Sequence, residues 1–200
     1  MILSDKWIRE HGEEMITPFT PHLVREESGR KVVSYGTSSY GYDLRLGSKF
    51  LMKSRAGREC TARPFGFFDV HDSDLVSEFI TVGPTKWNGG SALMLPPKGF
   101  ALGVSMERIK VPDDVMVICM NKSTYARVGL EVRTTPLEPS WEGYVTLELF
   151  NHTDAWIPVY VGEGCCQLLF LKGNEPCEVS YADRGGKYQG QPAEPVVSRV

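Results

Sequence analysis

The sequence lacks a large excess of charge of one sign, a long hydrophobic run and the apolar core of a signal peptide. Its 22 Lys and Arg and 25 Asp and Glu residues are interspersed and give a net charge of −3, so it carries no basic surface typical of binding to nucleic acid or an anionic membrane. The longest apolar runs, such as QLLFL at 167–171, are far shorter than a membrane span. The amino-terminal MILSDKWIREHGEE is charged from its fifth residue. We therefore expect a cytoplasmic protein without nucleic-acid or membrane partners.

The sequence is also poor in patterns that bind metals or form disulfides. It contains no Cys-x-x-Cys, and its four histidines show no His-x-x-x-His spacing. Adjacent Cys165 and Cys166 are expected to point to opposite faces of a strand, which suits shared ligation poorly. The odd count of five cysteines favours reduced core thiols over a disulfide framework. The sequence therefore predicts no zinc site, and chemistry based on carboxylates, hydroxyls and amides.

The spacing of apolar segments predicts a mainly β protein. A chain of 200 residues that is 42% hydrophobic fits a single domain over 1–200. LSDKWIREHG predicts a short helix with Ser4 as N-cap and Gly12 just beyond its end. Short apolar segments separated by Gly, Pro, Asn and Asp then predict an all-β sandwich or barrel. Residues 53–90 are predicted to be loops, and residues 182–200 either a disordered tail or a flap that closes over a ligand.

Glu148 interrupts an otherwise typical strand sequence, YVTLELFN at 144–151. Because side chains alternate along a strand, Val145, Leu147 and Leu149 share one face, and Glu148 lies on the other. That face is either the solvated side of an antiparallel sheet or the wall of a pocket. In a pocket, burial would raise the pKa of the carboxyl and make it a useful base near neutral pH.

Three other segments carry polar groups. NKSTYARVG at 121–129 predicts either a phosphate-binding loop or a polar turn that opens a surface helix. In RTTPLEPSWEG at 133–143, two prolines hold a turn from which Glu138 could accept a sugar hydroxyl, whereas Trp141 is expected in the core. Asp43 and Arg45 in SYGTSSYGYDLRLG are expected to make structural ion pairs or hydrogen bonds.

In this order along the chain, five segments resemble the motifs of the trimeric dCTP deaminase and dUTPase superfamily. SSYGYDLRL resembles the first motif, NKSTYAR the second with Asn121 in place of glycine, and TPLEPSWEGYVTLE the third. GEGCCQLLF resembles the fourth motif, and CEVSYADRGGKYQGQ the carboxy-terminal flap. The pattern is most similar to the bacterial dCTP deaminases and covers nearly the whole chain except about 53–90.

The resemblance implies a distorted, jelly-roll-like (dUTPase-like) β-barrel that forms a homotrimer with active sites between subunits. It implies zinc-independent hydrolysis of dCTP to dUTP and ammonia in pyrimidine deoxynucleotide metabolism. Mg²⁺ is expected only as the counter-ion of the triphosphate.

The resemblance also assigns roles to individual residues. Glu148 matches the glutamate that activates the water attacking C4 of cytosine, and Ser123 and Arg127 match residues that position this water and Glu148. Lys122, Ser123 and Thr124 match the triphosphate-binding loop, and Tyr125 and Ala126 of the same motif are expected to be substrate-binding. Glu138 matches the acidic residue that contacts the sugar, and Thr146 and Leu147 match backbone contacts to the pyrimidine. The remaining nucleotide contacts, largely to the phosphates and from the closing tail, are matched by Gln167, Tyr181, Lys187 and Gln191.

Three alternatives remain open from the sequence. Glu131, Arg133 and Thr134 differ from the apolar, Asn and Val residues usual in the bacterial enzymes, so a 5-modified dCTP is an alternative substrate. A dUTP diphosphatase, alone or combined with the deaminase, is disfavoured because Glu138 and Trp141 replace the expected Asp and Tyr. The glycine- and phenylalanine-containing carboxy-terminal motif of dUTPases is also missing. A nucleotide-binding trimer without activity would not need Glu148, Ser123 and Arg127 together.

Overall fold

Antiparallel strands make up most of the chain that the structure describes. The computed structural model of the protein describes residues 1–53 and 79–199. These residues contain the helices α1 (Asp5–Met15) and α2 (Ser123–Ala126). The strands in chain order are β1 (Ile16–Thr17), β2 (Val24–Glu27), β3 (Arg30–Ser38), β4 (Gly41–Arg45), β5 (Phe50–Lys53), β6 (Phe79–Val82), β7 (Thr85–Trp87), β8 (Gly90–Leu95), β9 (Phe100–Lys110), β10 (Val115–Asn121), β11 (Leu130–Arg133), β12 (Glu142–Asn151), β13 (Ile157–Tyr160) and β14 (Gly164–Lys172). The predicted mainly β class and the amino-terminal helix are therefore confirmed.

The strands form three antiparallel sheets. The first has the order β11-β12-β9-β5-β6, with β1 also paired to β9. The second has the order β10-β14-β4-β3-β2, and the third β13-β8-β7. Within the described residues none of these sheets closes on itself, so the barrel-like arrangement comes from separate sheets that pack around one core. No described helix is long and apolar enough to cross a membrane.

The central strand β12 shows the alternation that its sequence predicts. Val145, Leu147 and Leu149 are buried in the core shared by the sheets, and the residues between them are only partly buried. Full burial of a leucine side chain contributes about 1.5–3 kcal/mol, so this alternation fixes which face of β12 turns inward. Glu148 consequently lies on the face that turns away from the core.

Two buried ion pairs stabilise the packing of the elements. Arg45 on β4 donates from Nε to Oε1 of Glu107 on β9 at 2.6 Å, which joins the second sheet to the first. Lys122 donates from Nζ to Oδ2 of Asp43 at 2.6 Å, and both side chains are more than nine-tenths buried. The structural roles expected for Asp43 and Arg45 are confirmed.

The predicted end of α1 is wrong. The helix continues to Met15, and Gly12 lies inside it rather than beyond it. A Cβ at position 12 would lie 2.3 Å from the ring of Phe19, so the absence of a side chain allows the ring to pack against the helix. Ser4 is the N-cap residue, although its side chain makes no capping hydrogen bond.

The loop prediction for residues 53–90 is wrong where the structure describes them. Residues 54–78 lie outside the described residues, but β6 pairs with β5, and β7 pairs with β8 as a hairpin. Asn88 and Gly89 at the tip of this hairpin have φ values of 45° and 77°. Asn-Gly with positive φ is typical of a tight hairpin turn, so the sequence did contain the signal for β7 and β8.

Candidate active site

Glu148 lies near one edge of the first sheet, between β11 and β9. Its cross-strand neighbours are Arg133 on β11 and Leu102 on β9. The carboxyl is half-buried, and this burial raises its pKa, while the positive charge of Arg133 acts in the opposite direction. A carboxyl with a raised pKa can both accept and return a proton near neutral pH. These observations support the interpretation that Glu148 lies on the wall of a pocket rather than on a fully solvated face of the sheet.

A cavity of about 710 Å³ opens over Glu148. Its floor contains side chains of β12 and β9, including Phe150 and Phe100, whose ring centroids lie 4.7 Å apart. The turn 134–137 forms another wall, and Trp141 lies beside it. This volume lies within the range of small-molecule sites, and the mixture of an apolar wall and few polar groups is typical of them.

The carboxy-terminal segment covers one side of this cavity. Thr146 donates from Oγ1 to Oε1 of Gln191 at 2.7 Å, and its hydroxyl accepts the N–H of Val196 at 3.1 Å. The Tyr188 carbonyl accepts the indole N–H of Trp141 at 3.0 Å, and the Tyr188 N–H donates to the hydroxyl of Tyr181 at 3.0 Å. The segment is therefore attached to β12 and to Trp141 by hydrogen bonds, and its action as a flap over a ligand stays a prediction.

Four residues predicted from separate motifs meet at this cavity. Glu148 and Thr146 come from the third motif, whereas Tyr181 and Gln191 come from the carboxy-terminal segment. Leu147 contributes its backbone to the same strand, but its side chain points into the core and is fully buried.

The residues of the second motif lie elsewhere in the chain. Four of them have exposed side chains on or next to α2, namely Ser123, Thr124, Ala126 and Arg127. Tyr125 is buried, and its hydroxyl accepts the N–H of Tyr160 at 2.9 Å. Lys122 is held by Asp43, and the amide of Gln167 donates to Ser38 Oγ at 2.9 Å. Within one copy, the structure does not bring these residues to the cavity, and their roles in binding stay predictions.

Glu138 lies near the flap and Lys187 lies within it, but neither lines the cavity. The guanidinium of Arg184 pairs with Glu138, and Lys187 donates from Nζ to the carbonyl of Arg199 at 3.3 Å. Both contacts are made by exposed side chains, so a ligand can break them at a small cost in free energy.

Sequence reasoning missed Phe100 and Tyr188 as residues of the cavity. Phe100 is brought to Phe150 only by the register of β9 against β12, and this register cannot be derived from local sequence. Trp141 was expected in the core and is buried there, but its edge also contacts the flap.

The described residues contain no group of three or more His, Cys, Asp or Glu side chains placed to hold a metal ion. The zinc-independent reaction stays a prediction. Cys119, Cys165, Cys166 and Cys177 are free thiols. The opposite orientation expected for Cys165 and Cys166 is wrong, because a register irregularity at Gly164–Cys166 leaves their sulfur atoms 3.9 Å apart.

The architecture is one that a nucleotide deaminase is known to adopt. The structure is similar to the crystal structure of 2′-deoxycytidine 5′-triphosphate deaminase from Agrobacterium tumefaciens, with a TM-score of 0.57 at 21% identity. The similarity covers 86% of this chain and 48% of that chain, and it establishes the fold.

The sequence comparisons identify the family. The family described as dCTP deaminase-like matches residues 2–173. The chain is 48% identical over 192 residues to the dCTP deaminase of Cupriavidus metallidurans and 46% identical over 192 residues to that of Paracidovorax citrulli. Each of these matches covers 95% of both chains. The chain therefore belongs to the dCTP deaminase-like family, which confirms the resemblance found in its motifs.

Proposed function

We propose that this protein hydrolyses dCTP to dUTP and ammonia, with Glu148 as the base that activates water. The observation that carries this proposal is a half-buried Glu148 with a raised pKa on the wall of a large cavity. This carboxylate belongs to a chain that is nearly half identical to proteins named dCTP deaminase. In the cell the reaction would supply dUTP to pyrimidine deoxynucleotide metabolism.

The reaction requires a proton acceptor that later becomes a proton donor. Glu148 takes a proton from water as the water oxygen forms a bond to C4 of cytosine. The same carboxyl then returns the proton to N3, takes the proton of the new C4 hydroxyl and delivers it to the exocyclic amine. The C4–N bond breaks, ammonia leaves, and a C4 carbonyl remains. A carboxyl with an ordinary pKa of about 4.3 would be a poor proton donor at neutral pH, and burial of Glu148 corrects this mismatch.

The neighbouring groups suit a nucleoside bound in the cavity. The backbone of β12 at Thr146 and Leu147 lies beside Glu148 and offers peptide groups to the pyrimidine edge. The flap residues Tyr181 and Gln191 close the opposite side. Mg²⁺ would enter with the substrate, coordinated by phosphate oxygens and water.

The active site would be completed by a second copy in a homotrimer. Ser123 and Arg127 are exposed next to α2 and do not line the cavity that contains Glu148 of the same chain. A neighbouring copy could contact Arg127 and the three exposed residues of α2, because none of them lines this cavity. In that arrangement Arg127 of one copy would approach Glu148 of another, and Lys122 would hold the loop in place through Asp43.

Product analysis tests the proposed activity directly. Purified protein is incubated with dCTP and Mg²⁺, the nucleotides are resolved by chromatography, and ammonia is measured in parallel. We expect dUTP and ammonia in equal amounts. Absence of both, from a protein that is folded and binds dCTP, would identify a nucleotide-binding protein without deaminase activity.

Two further substrates distinguish the related activities. Incubation with dUTP would yield dUMP and pyrophosphate only if the protein is also a diphosphatase. Incubation with 5-methyl-dCTP tests the modified base, because Thr134 lines the cavity and Arg133 is the cross-strand neighbour of Glu148. Turnover of the methylated substrate alone would overturn dCTP as the natural substrate.

A further inference from the structure

A short network of polar side chains joins Glu131 and Arg133 on β11, at the edge of the first sheet, to His152, which follows β12. Arg133 donates from Nε to Oε1 of Glu131 at 2.6 Å. The other oxygen of Glu131, Oε2, lies 2.8 Å from Nε2 of His152. The side chain of Glu131 is 27% exposed, whereas those of Arg133 and His152 are 64% and 60% exposed. Glu131 is therefore the centre of the network, and Arg133 and His152 are its exposed members.

Arg133 is also the charged side chain nearest in register to Glu148. The two residues are directly opposed on β11 and β12, and side chains in such a pair lie on the same face of the sheet. A guanidinium and a carboxylate in this position normally form an ion pair. Here, however, Arg133 donates to Glu131, two residues away on its own strand, and makes no hydrogen bond to Glu148.

Among the charged groups that face Glu148, Arg133 is the one whose charge shifts the pKa of Glu148. Its neighbour on β9 is Leu102, and the other titratable groups around the cavity are Lys53, Lys98, Tyr181 and Tyr188. Lys98 is bound elsewhere, because its Nζ donates to the His152 carbonyl at 2.8 Å. Besides burial, the charge of Arg133 is the influence that shifts the pKa of Glu148.

We propose that Glu131 is a positioning residue that holds the Arg133 guanidinium away from Glu148, so that the Glu148 carboxylate stays unpaired and available to the attacking water. This inference rests on the proposed function of Glu148 and extends it to a residue outside the cavity. His152 holds Oε2 of Glu131, the carboxylate oxygen that does not contact Arg133. Hydrogen bonds from His152 and Arg133 lower the pKa of Glu131, and this keeps Glu131 ionised.

The consequence of losing Glu131 follows from electrostatics. Without its carboxylate, Arg133 turns to the nearest remaining anion, Glu148, and the new ion pair lowers the pKa of Glu148. Glu148 then becomes a weaker base in the step that activates water, and a smaller fraction of it is protonated at neutral pH. We expect a fall in kcat of roughly tenfold, which is part of the ~10²–10⁴-fold contribution of a general base.

The first test is a pKa measurement that does not depend on activity. Protein labelled with ¹³C at the glutamate carboxyl groups is titrated by NMR, and the Glu148 signal is assigned by its absence in Glu148→Gln. We expect Glu131→Gln to lower the pKa of Glu148 and Arg133→Gln to raise it. Asp5→Asn, which removes the carboxylate of an exposed Asp–Arg pair on α1, is the matched control and should leave it unchanged.

A double variant separates positioning from a direct effect of charge. Removal of the Glu131 carboxylate also removes a negative charge near Glu148, and that alone would lower the pKa of Glu148 in any background. If Glu131 acts mainly through Arg133, Glu131→Gln shifts the pKa of Glu148 much less once Arg133→Gln is present. A shift of equal size in both backgrounds, or no shift in either, overturns the proposal.

The pH profile of kcat/KM provides the second readout. The acidic limb should move to lower pH in Glu131→Gln and to higher pH in Arg133→Gln, whereas a merely structural effect lowers the whole profile without moving the limb. If the unaltered protein does not deaminate dCTP, the proposed function fails. The NMR titration still decides whether Glu131 controls Arg133.

Discussion

At the scale of single residues, Glu148 is placed against the preferences of its own strand. Its neighbours on β12 are β-branched, aromatic or aliphatic, and the carboxyl is half-buried beside Phe150 and Leu102. Among the residues that the structure describes, it has no hydrogen-bonding partner that would favour its charge. Such an arrangement costs stability, and local conflicts of this kind are concentrated at functional sites. Burial raises the pKa of this carboxyl, as the proposed reaction requires.

The first prediction concerns stability and pH. A carboxyl whose pKa is raised in the folded state stabilises the fold most below its unfolded pKa of about 4.3, and this contribution is lost as pH rises through the folded value. We therefore expect Glu148→Gln to be more stable than the unaltered protein at neutral pH. The difference should shrink as pH falls toward the ordinary range of glutamate.

Chemical denaturation at several pH values measures this difference. Glu131→Gln is a suitable comparison, because the pKa of Glu131 is lowered and its removal should not stabilise the protein at neutral pH. A Glu148→Gln variant that is less stable than the unaltered protein at neutral pH would show that the carboxylate is well solvated or paired in the folded state.

At the scale of elements, the pair of Arg45 and Glu107 connects two sheets. Glu107 on β9 is fully buried, and Arg45 on β4 is 13% exposed. Arg45 also lies over the ring of Tyr35, with its Cζ 4.7 Å from the ring centroid. Burial raises the pKa of Glu107, while Arg45 opposes that rise by stabilising the carboxylate. The pair is thus a structural contact, distinct from the groups around the cavity.

The second prediction is that Arg45→Met destabilises the protein by about 3–5 kcal/mol, because it leaves the Glu107 carboxylate buried without its partner. Equilibrium unfolding in urea measures the loss. The control Arg9→Met removes an exposed partner of Asp5 and should cost less than about 1 kcal/mol.

A double variant tests the explanation. Combining Arg45→Met with Glu107→Leu removes the unpaired charge and should restore much of the lost stability. If the double variant is as unstable as Arg45→Met alone, the loss comes from the packing of Arg45 against Tyr35 rather than from the buried charge.

The sequence predicted the type of most elements but not the contacts between them. Alternation in β12 identified the face of Glu148, since the period of a strand is a local property. The end of α1 was misplaced because glycine both ends helices and admits close packing, and only the position of Phe19 distinguishes the two. Strands β6 and β7 are three or four residues long and too short for their periodicity to be evident.

The candidate site was predictable in part for the same reason. The resemblance identified Glu148, Thr146, Tyr181 and Gln191, which meet at the cavity. Arg133 was noticed only as an unusual residue, because its position beside Glu148 depends on the register of β11 against β12. The hydrogen bond from Arg133 to Glu131 depends on side-chain geometry, which no local sequence pattern shows.

At the scale of the whole molecule, the predicted site residues fall into two groups that one chain keeps apart. Glu148 and the flap form the cavity, whereas Ser123 and Arg127 are exposed next to α2. A symmetric homo-oligomer brings different surfaces of identical chains together, so each cavity can receive α2 from a neighbour.

The third prediction is complementation between two inactive variants. Glu148→Gln and Arg127→Ala should each be inactive alone, but coexpressed chains with different tags should regain activity. With random assembly, about one quarter of the sites would receive an intact Glu148 and an intact Arg127 from different copies. Ammonia release from purified mixed assemblies measures the recovery.

Separately expressed variants mixed without exchange of chains provide the control. No recovery in assemblies that mass spectrometry shows to be mixed would mean that both residues act within one chain. Activity of Arg127→Ala alone would remove Arg127 from the site altogether.

The most direct test of the central claim is the rate of ammonia release from dCTP by Glu148→Gln, compared with the unaltered protein. Glutamine keeps the shape of the side chain but cannot take a proton from water, so we expect kcat to fall by at least about 10²-fold. Affinity for dCTP, measured by calorimetry on the same preparation, should stay nearly unchanged. Turnover that survives the substitution would contradict the role of Glu148 as the base.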